Sequence, residues 1–510
     1  MLRGGSFAKK TFIDKERIMI TRRSFGGMAF AGAFAAALKP LKGVAAEGPC
    51  RLRLGVLSDI HVPTMDEGAH FRKALKWFDA QKVDGVVIAG DLGFKGLISE
   101  LKCVADIWYE VFPNDKRSDG GHVEKLFVTG NHDVDGYFYH RPEFPKVKFP
   151  VDEESAKESF VCNRERAWEE LFHEKYETVK VKEVKGYKFV LFQWFAHLAS
   201  DICAERWTAE PPDTPFYNAL RYEHKKLDEF FATRGAELKG DRPFFYVQHH
   251  HPADTVFSPF LYASPQGWGG HDFGRSTKYL KDFPNCIAIS GHTHVTMSDE
   301  RAIWQGEFTS IDASACPGLP FAGVIGGRSN AHVARRYPEE TLFDCETPKV
   351  GQLLSVYDDR IVVQKREFSY DEDLGDNWEF PWPISRGKPY DYAERTKRAV
   401  VPEFPEGTVL KKTVTDETIV LEFPTVRREN AGVRALDYEV IAEGRIEDFR
   451  RQIECRRVYS AGIGLAEIRD RAPIKVIFDK KKLDTDGYKD VTFSVRPCDA
   501  WGHKGKAICV

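Results

Sequence analysis

The sequence predicts an α/β layered fold followed by a smaller all-β sandwich, and three observations carry that prediction. Residues 51–129 alternate strand-like and helix-like patterns in the order β-α-β-α-β. Val83 to Ala89 is a short continuous apolar run, as expected of a strand buried on both faces. Beyond about residue 400 the pattern changes to short β-rich runs separated by turn residues.

Each element follows from its own pattern. Arg51 to Ser58 (RLRLGVLS) alternates and then turns apolar, as a strand entering a core does. Phe71, Leu75 and Phe78 give helical spacing over 69–80, and 97–111 repeats that spacing before Val123 to Thr129 supplies the third strand. Further strands are predicted at 186–194, 243–248 and 285–290, with helices at 163–175 and 221–233. Residues 351–368 form a predicted hairpin turning at Asp358-Asp359 and close an α/β domain spanning 47–370. The polar stretch 371–400, with Pro381, Pro383 and Pro389, is expected to be a linker. Runs at 408–413, 417–423, 435–442, 473–479 and 490–495 make up the expected β-sandwich domain, 401–510.

With 42% hydrophobic and 30% charged residues among 510, the composition is that of a folded chain of two or three domains. The aromatic content of 13% excludes a disordered one. Ten cysteines without a CxxC pair argue against a zinc ribbon and against a disulfide-stapled scaffold. Cys498 and Cys509 flank the last hairpin and are the pair expected to bridge in an oxidising compartment.

The formal net charge of −3 conceals an uneven distribution. Residues 1–46 carry nine basic and two acidic side chains, Asp14 and Glu16. Thr21-Arg22-Arg23-Ser24-Phe25 precedes an apolar small-residue run from Gly26 to Leu38, and Val44-Ala45-Ala46 suits a signal peptidase. These parts resemble a twin-arginine-type signal peptide, with Met19 as a candidate start. The apolar run is shorter than the ~20 residues a bilayer span needs, so no stable membrane anchor is expected. The expectation is a bacterial protein exported to the periplasm or beyond, whose mature body carries −10. Such acidity disfavours long nucleic acid as a partner.

Five clusters follow predicted strands, where open α/β sheets place their sites. They are Asp59-Ile60-His61, Gly90-Asp91, Gly130-Asn131-His132-Asp133, His249-His250-His251-Pro252 and Gly291-His292-Thr293-His294. Carboxylates, imidazoles and an amide oxygen suit borderline divalent metals. In Asp-x-His and His-x-His, strand alternation is expected to put both side chains on one side. Alone, each cluster reads as a surface pair, a turn or a polar loop; five in order at strand ends point to a dinuclear metal site.

This motif string resembles that of the calcineurin-like metallophosphoesterase family over about residues 51–370. The resemblance implies a β-sandwich flanked by helices and two divalent transition-metal ions, with Mn, Fe and Zn all open. It places one ion on Asp59, His61, Asp91 and His294, and the other on Asp91, Asn131, His250 and His292. His250 is selected there over His249 and His251 because it lies two residues before Pro252. A hydroxide shared by the ions would be the nucleophile, and the non-ligand His132 would protonate the leaving alkoxide. Asp133 is expected to fix the His132 tautomer. Purple acid phosphatases resemble this string too, but have a tyrosine ligand where this chain has Phe94, so no tyrosinate-iron colour is expected.

The implied activity is hydrolysis of a small phosphate ester, as a phosphomonoesterase or a phosphodiesterase. The alternatives are a nucleotidase of the same family, and a non-catalytic exported binding or adhesion protein on the same fold. Residues 135–245, with Tyr137, Tyr139, His140, Trp168, His197 and Trp207, are either a rim around the site or decoration packed on the sheet. His271 and Arg275 are further candidate substrate contacts. The hairpin around Trp501-Gly502-His503 resembles the last hairpin of fibronectin- or immunoglobulin-like sandwiches. It leaves two readings for the C-terminal domain, a surface or glycan contact and a packing domain.

Overall fold

The computed structural model describes residues 48–134, 157–193, 215–257, 272, 274–317, 349–460, 473–485 and 487–510. The expected signal peptide lies outside the described residues, as do Tyr137, Tyr139, His140, His197, Trp207 and His271. No helix among the described residues is long and apolar enough to cross a membrane.

The chain opens with β1 (Leu52–Leu57), α1 (Ala69–Ala80), β2 (Gly85–Ala89), α2 (Ile98–Val111) and β3 (Glu124–Val128). Next come β4 (Val179–Val184), β5 (Tyr187–Phe192), β6 (Phe244–Val247), β7 (Cys286–Ser290), β8 (Ile303–Gln305) and β9 (Thr309–Asp312). The hairpin β10 (Val350–Val356) and β11 (Arg360–Glu367) follows, then β12 (Glu372–Asp373) and β13 (Trp378–Pro381). One sheet has the order β12-β11-β10-β1-β2-β3 with β13 also on β11, and the other has the order β4-β5-β6-β7-β9-β8.

Period-two patterning packs these sheets face to face. Leu54, Val56, Val87 and Val128 of one sheet and Leu191, Phe245, Val247 and Ile289 of the other share one core. Their outward neighbours are apolar too, which is why these strands read as continuous runs. Phe71, Leu75, Phe78 and Trp108 of α1 and α2 cover the outer face of the first sheet, together with Trp168 of helix Phe160–Phe172. Leu227, Phe230 and Phe231 of helix Pro215–Arg234 cover the second. Each such fully buried side chain contributes about 1.5–3 kcal/mol. Two packed sheets flanked by helices are the architecture expected. Trp168, a candidate rim residue, is core instead.

The stretch expected to be a linker behaves differently over its first half. β12 and β13 extend the first sheet, and Trp378, Phe380 and Trp382 join the core between the sheets. The prolines sit at an edge strand and in a turn, places where a missing N–H costs nothing. Helix Tyr392–Arg398 follows, capped by Asp391, whose carboxylate accepts the Glu394 amide.

Beyond it, β14 (Lys411–Val414), β15 (Thr418–Phe423), β16 (Asp437–Ile446), β17 (Phe449–Tyr459), β18 (Ile474–Asp479), β19 (Lys489–Cys498) and β20 (Ile508–Cys509) form two sheets. Their orders are β14-β15-β18 and β17-β16-β19-β20, around a core including Leu421, Phe423, Tyr438, Val440, Phe478 and Val495. The expected Cys498–Cys509 bridge is not formed. The register puts Cys509 opposite Ser494, four residues along β19 from Cys498, roughly 13 Å away at strand rise.

These C-terminal elements grip the segment that follows the Gly-His-x-His motif. Arg434 donates to the Ser298 carbonyl and pairs with Glu300 at 3.0 Å. Arg395 donates to the Glu300 carbonyl and Tyr392 to the Arg301 carbonyl. Trp501 meets the Tyr392 ring edge-on at 5.2 Å and lies beneath the Arg395 guanidinium. Replacing Arg434 by alanine strands the Glu300 carboxylate and the Ser298 carbonyl together. A loss of about 2 kcal/mol is expected, read as a lower thermal midpoint by calorimetry.

Candidate metal centre

β1, β2 and β3 run parallel to one another, as do β6 and β7, so the loops leaving their C-terminal ends meet. Those loops carry the five clusters. Asp59, His61, Asp91, His249, His250 and His292 are drawn into three overlapping groups together with His294, the ligand atoms of each group lying within 4.8 Å of one another. One group is Asp59, His61 and His294; another is Asp59, Asp91 and His249; the third is His249, His250 and His292.

The distances are those of shared coordination. His294 Nε2 lies 2.9 Å from Asp59 Oδ1, and His61 Nε2 lies 3.8 Å from both Asp59 Oδ1 and Asp91 Oδ2. His249 Nε2 lies 2.9 Å from Asn131 Oδ1 and 3.3 Å from Asp91 Oδ2. Ligand atoms about 2.0–2.2 Å from a common ion stand roughly 2.8–3.8 Å apart at ligand–metal–ligand angles of about 90–120°. The residues present therefore fit two divalent ions, with Asp91 facing both donor sets. The His250 ring lies against His292, with centroids 3.8 Å apart.

Local backbone makes this convergence possible, though not through strand alternation as expected. Asp59, His61, Asp91, His292 and His294 all have positive φ, between 39° and 66°, just past the strand ends. Left-handed turns at non-glycine residues cost about 1–3 kcal/mol each and persist where surrounding structure holds them. Two glycines make room. A methyl on Gly90, itself at φ 97°, would strike the His249 ring, and one on Gly291 would strike Ser58 Oγ and the Asp59 carboxylate.

Backbone carbonyls orient three imidazoles. Nδ1 of His249, His61 and His132 meets the carbonyls of Ala89 (2.8 Å), Gly93 (3.2 Å) and Phe94 (2.8 Å) in turn. With Nδ1 so engaged, Nε2 is the coordinating or proton-carrying atom. The Phe94 ring stacks on His132, centroids 5.4 Å apart and 11° from parallel. Asp133 does not set the His132 tautomer, as the sequence had suggested. It is fully buried and accepts the amides of Leu92 (3.1 Å), Gly93 (2.7 Å) and Gly130 (2.8 Å), tying two loops together.

The electrostatics favour cations. Burial opposes charge on Asp59 and Asp91, but His294 and His249 around the first and His249 and His132 around the second hold both below the usual carboxylate range. Burial and the neighbouring His132 push His61 down to about 3, and burial likewise pushes His250 and His292 well down. His249 goes the other way: burial disfavours its charge, yet Asp91 and Asp59 outweigh that and push it up to about 9. Behind the motif, Thr293 donates to buried Asp312, whose carboxyl burial pushes well up.

All seven side chains expected as ligands are described, and the structure brings them together. His249 lies beyond that expectation. Strand parity was the signal for His249, because the β6–β7 ladder continues from Gln248 N to Ile289 O and from Gly291 N to His249 O. His249 therefore shares the face of Phe245 and Val247. Arg275 lies beside Asp272, which also accepts the Ser276 amide.

Two sheets with flanking helices and a paired donor set at their ends define a metallophosphoesterase-type domain. Residues 52–296 match the family model of the calcineurin-like phosphoesterases. Among solved structures, a dimetal phosphatase from Danio rerio is similar at 12% identity and TM-score 0.38, covering 66% of this chain and 100% of that one. The inner membrane complex anchor of Plasmodium follows at 11% and 0.37, covering 66% and 90%. Purple acid phosphatase of yellow lupin, Lupinus luteus, gives 12% and 0.34, covering 67% and 54%. A search of curated proteins gives no match.

Proposed function

We propose that this chain is an exported hydrolase of phosphate esters that works with two divalent transition-metal ions. The observation that carries the reading is the position of Asp91, within reach of both the His61 side and the His249–Asn131 side of the donor set. Asp59, His61, Asp91 and His294 would hold one ion, and Asp91, Asn131, His292 and His249 the other, with His249 in the place the sequence gives to His250. Bound there, the ions supply charge that lowers the pKa of a water and neutralises phosphoryl oxygens.

The chain's own residues do the rest. Asn131 lies next to His132, which puts a proton donor beside the phosphoryl site. With its Nδ1–H given to Phe94 O, the proton that a His132 imidazolium delivers to the leaving alkoxide is the one on Nε2, and the ring is left neutral. Buried Asp59 and Asp91 keep the pocket anionic, so an ester without metals would be repelled. The acidic mature body repels it further, and local cation charge must draw it in.

A panel of monoesters, diesters, nucleotides, sugar phosphates and phospholipid head groups tests the reading. Purified protein loaded with Mn, Fe or Zn is expected to turn over p-nitrophenyl phosphate or its bis-ester, losing turnover to chelation. Two bound ions without turnover anywhere on the panel would favour a binding or adhesion protein. Preference for nucleotides would make it a nucleotidase.

A further inference from the structure

The loop between β2 and α2 is held in an unusual way. Asp133 takes the amides of Leu92 and Gly93 from one side. From the other, Glu100 takes those of Phe94 at 3.0 Å, Lys95 at 2.7 Å and Leu97 at 3.4 Å, all through Oε2. Glu100 sits in the first turn of α2 and is 3% exposed, an unusual burial for glutamate unless it is bonded. Five amides along six residues thus point at two carboxylates, and the carbonyls between them point away. Two of those carbonyls, Gly93 O and Phe94 O, hold Nδ1 of His61 and His132.

We propose that Glu100 is a positioning residue for His132: by fixing the Phe94–Lys95 peptide it fixes the imidazole that delivers the leaving-group proton. The chain of contacts is short. The carboxylate binds the Lys95 amide at 2.7 Å, the Phe94 carbonyl of that same peptide group binds His132 Nδ1, and the Phe94 ring stacks on the same imidazole. Charge-assisted bonds to three consecutive-loop amides are stronger than neutral ones, so the peptide plane is rigid. Through the Phe94 amide Glu100 also steadies the Gly93 carbonyl on His61, an effect that would lower turnover of every ester alike, whereas the Lys95 amide links it to proton delivery.

This inference rests on the reading of His132 as the acid, and leaving-group dependence separates the two. p-Nitrophenolate leaves without a proton, whereas the alkoxide of an alkyl phosphate needs one. In the full-length, metal-loaded protein, Glu100→Ala is expected to lower kcat on an alkyl phosphate about 10–100-fold more than on p-nitrophenyl phosphate. Glu100→Gln, which keeps an acceptor oxygen, is expected to restore most of the difference. Glu100→Asp keeps the charge on a shorter arm, and is expected to discriminate as alanine does, which covers an alanine variant that does not fold. Equal losses on both substrates in Glu100→Ala and Glu100→Asp, alongside discrimination in His132→Ala, would overturn the proposal alone. Equal losses in His132→Ala would overturn the acid role and this proposal with it.

Discussion

Replacing Asp91 by alanine is expected to abolish turnover of p-nitrophenyl phosphate, by a factor of about a thousand or more, and to empty both metal positions. The size follows from how many partners meet at one side chain. Oδ2 lies 3.8 Å from His61 Nε2 and 3.3 Å from His249 Nε2, so its loss takes a ligand from each donor set. Oδ1 accepts the His132 amide at 2.7 Å, so the loop carrying Asn131 and His132 loses its anchor at the same time. Asp91→Asn separates these effects, since an amide oxygen still accepts that amide but brings no charge. Asp91→Asn is expected to keep the fold and lose the ions, measured by elemental analysis of the dialysed protein. Chelation is expected to lower the thermal midpoint of the wild type, because ions that bind only the folded chain stabilise it. The same treatment should leave Asp91→Ala unmoved. Two ions retained in Asp91→Ala would refute a shared carboxylate.

How much of this was legible in the sequence depends on what each residue does. That Asp59, Asp91, Asn131, His292 and His294 converge was legible because a shared site for cations would demand those residue types, and type is what a sequence records. The sandwich strands were legible for a similar reason, since Val87 and Phe245 sit in a core that only apolar side chains tolerate. β17 was not. Its FRRQIECRRVY pattern belongs to a charged sheet edge, where Arg457 pairs with Asp437 across the ladder at 2.6 Å instead of burying apolar surface. The Pro-rich stretch after 370 misled because an edge strand tolerates proline, and nothing local reveals that Trp378 and Phe380 find a core. Glu100 was equally hidden. A glutamate in the first turn of a helix is ordinary, and only the fold shows that three amides of the preceding loop converge on it. The left-handed turns at Asp59 and His292 are a further case, because they replace the pleat that the Asp-x-His and His-x-His spacings suggested.

The choice between His249 and His250 sets the two kinds of evidence against each other, and His249→Ala is expected to decide it. Spacing to Pro252 selects His250. Geometry selects His249, whose Nε2 reaches Asn131 Oδ1 and Asp91 Oδ2 while Nδ1 is fixed on the Ala89 carbonyl. A histidine held by one nitrogen and aimed by the other is the arrangement that metal-binding imidazoles use. Gly90 agrees, since its missing side chain is the space the His249 ring occupies. His249→Ala is therefore expected to release the ion on the Asn131 side and to cut turnover about a hundredfold or more. His250→Ala removes a ring packed on His292 and is expected to cost about tenfold or less, with both ions retained. Asn131→Ala supplies the comparison, because a ligand of the same ion should reproduce the His249→Ala metal content. If His250→Ala loses that ion and His249→Ala keeps it, the proline spacing is the better guide and the His249 ring is a support for Asp91.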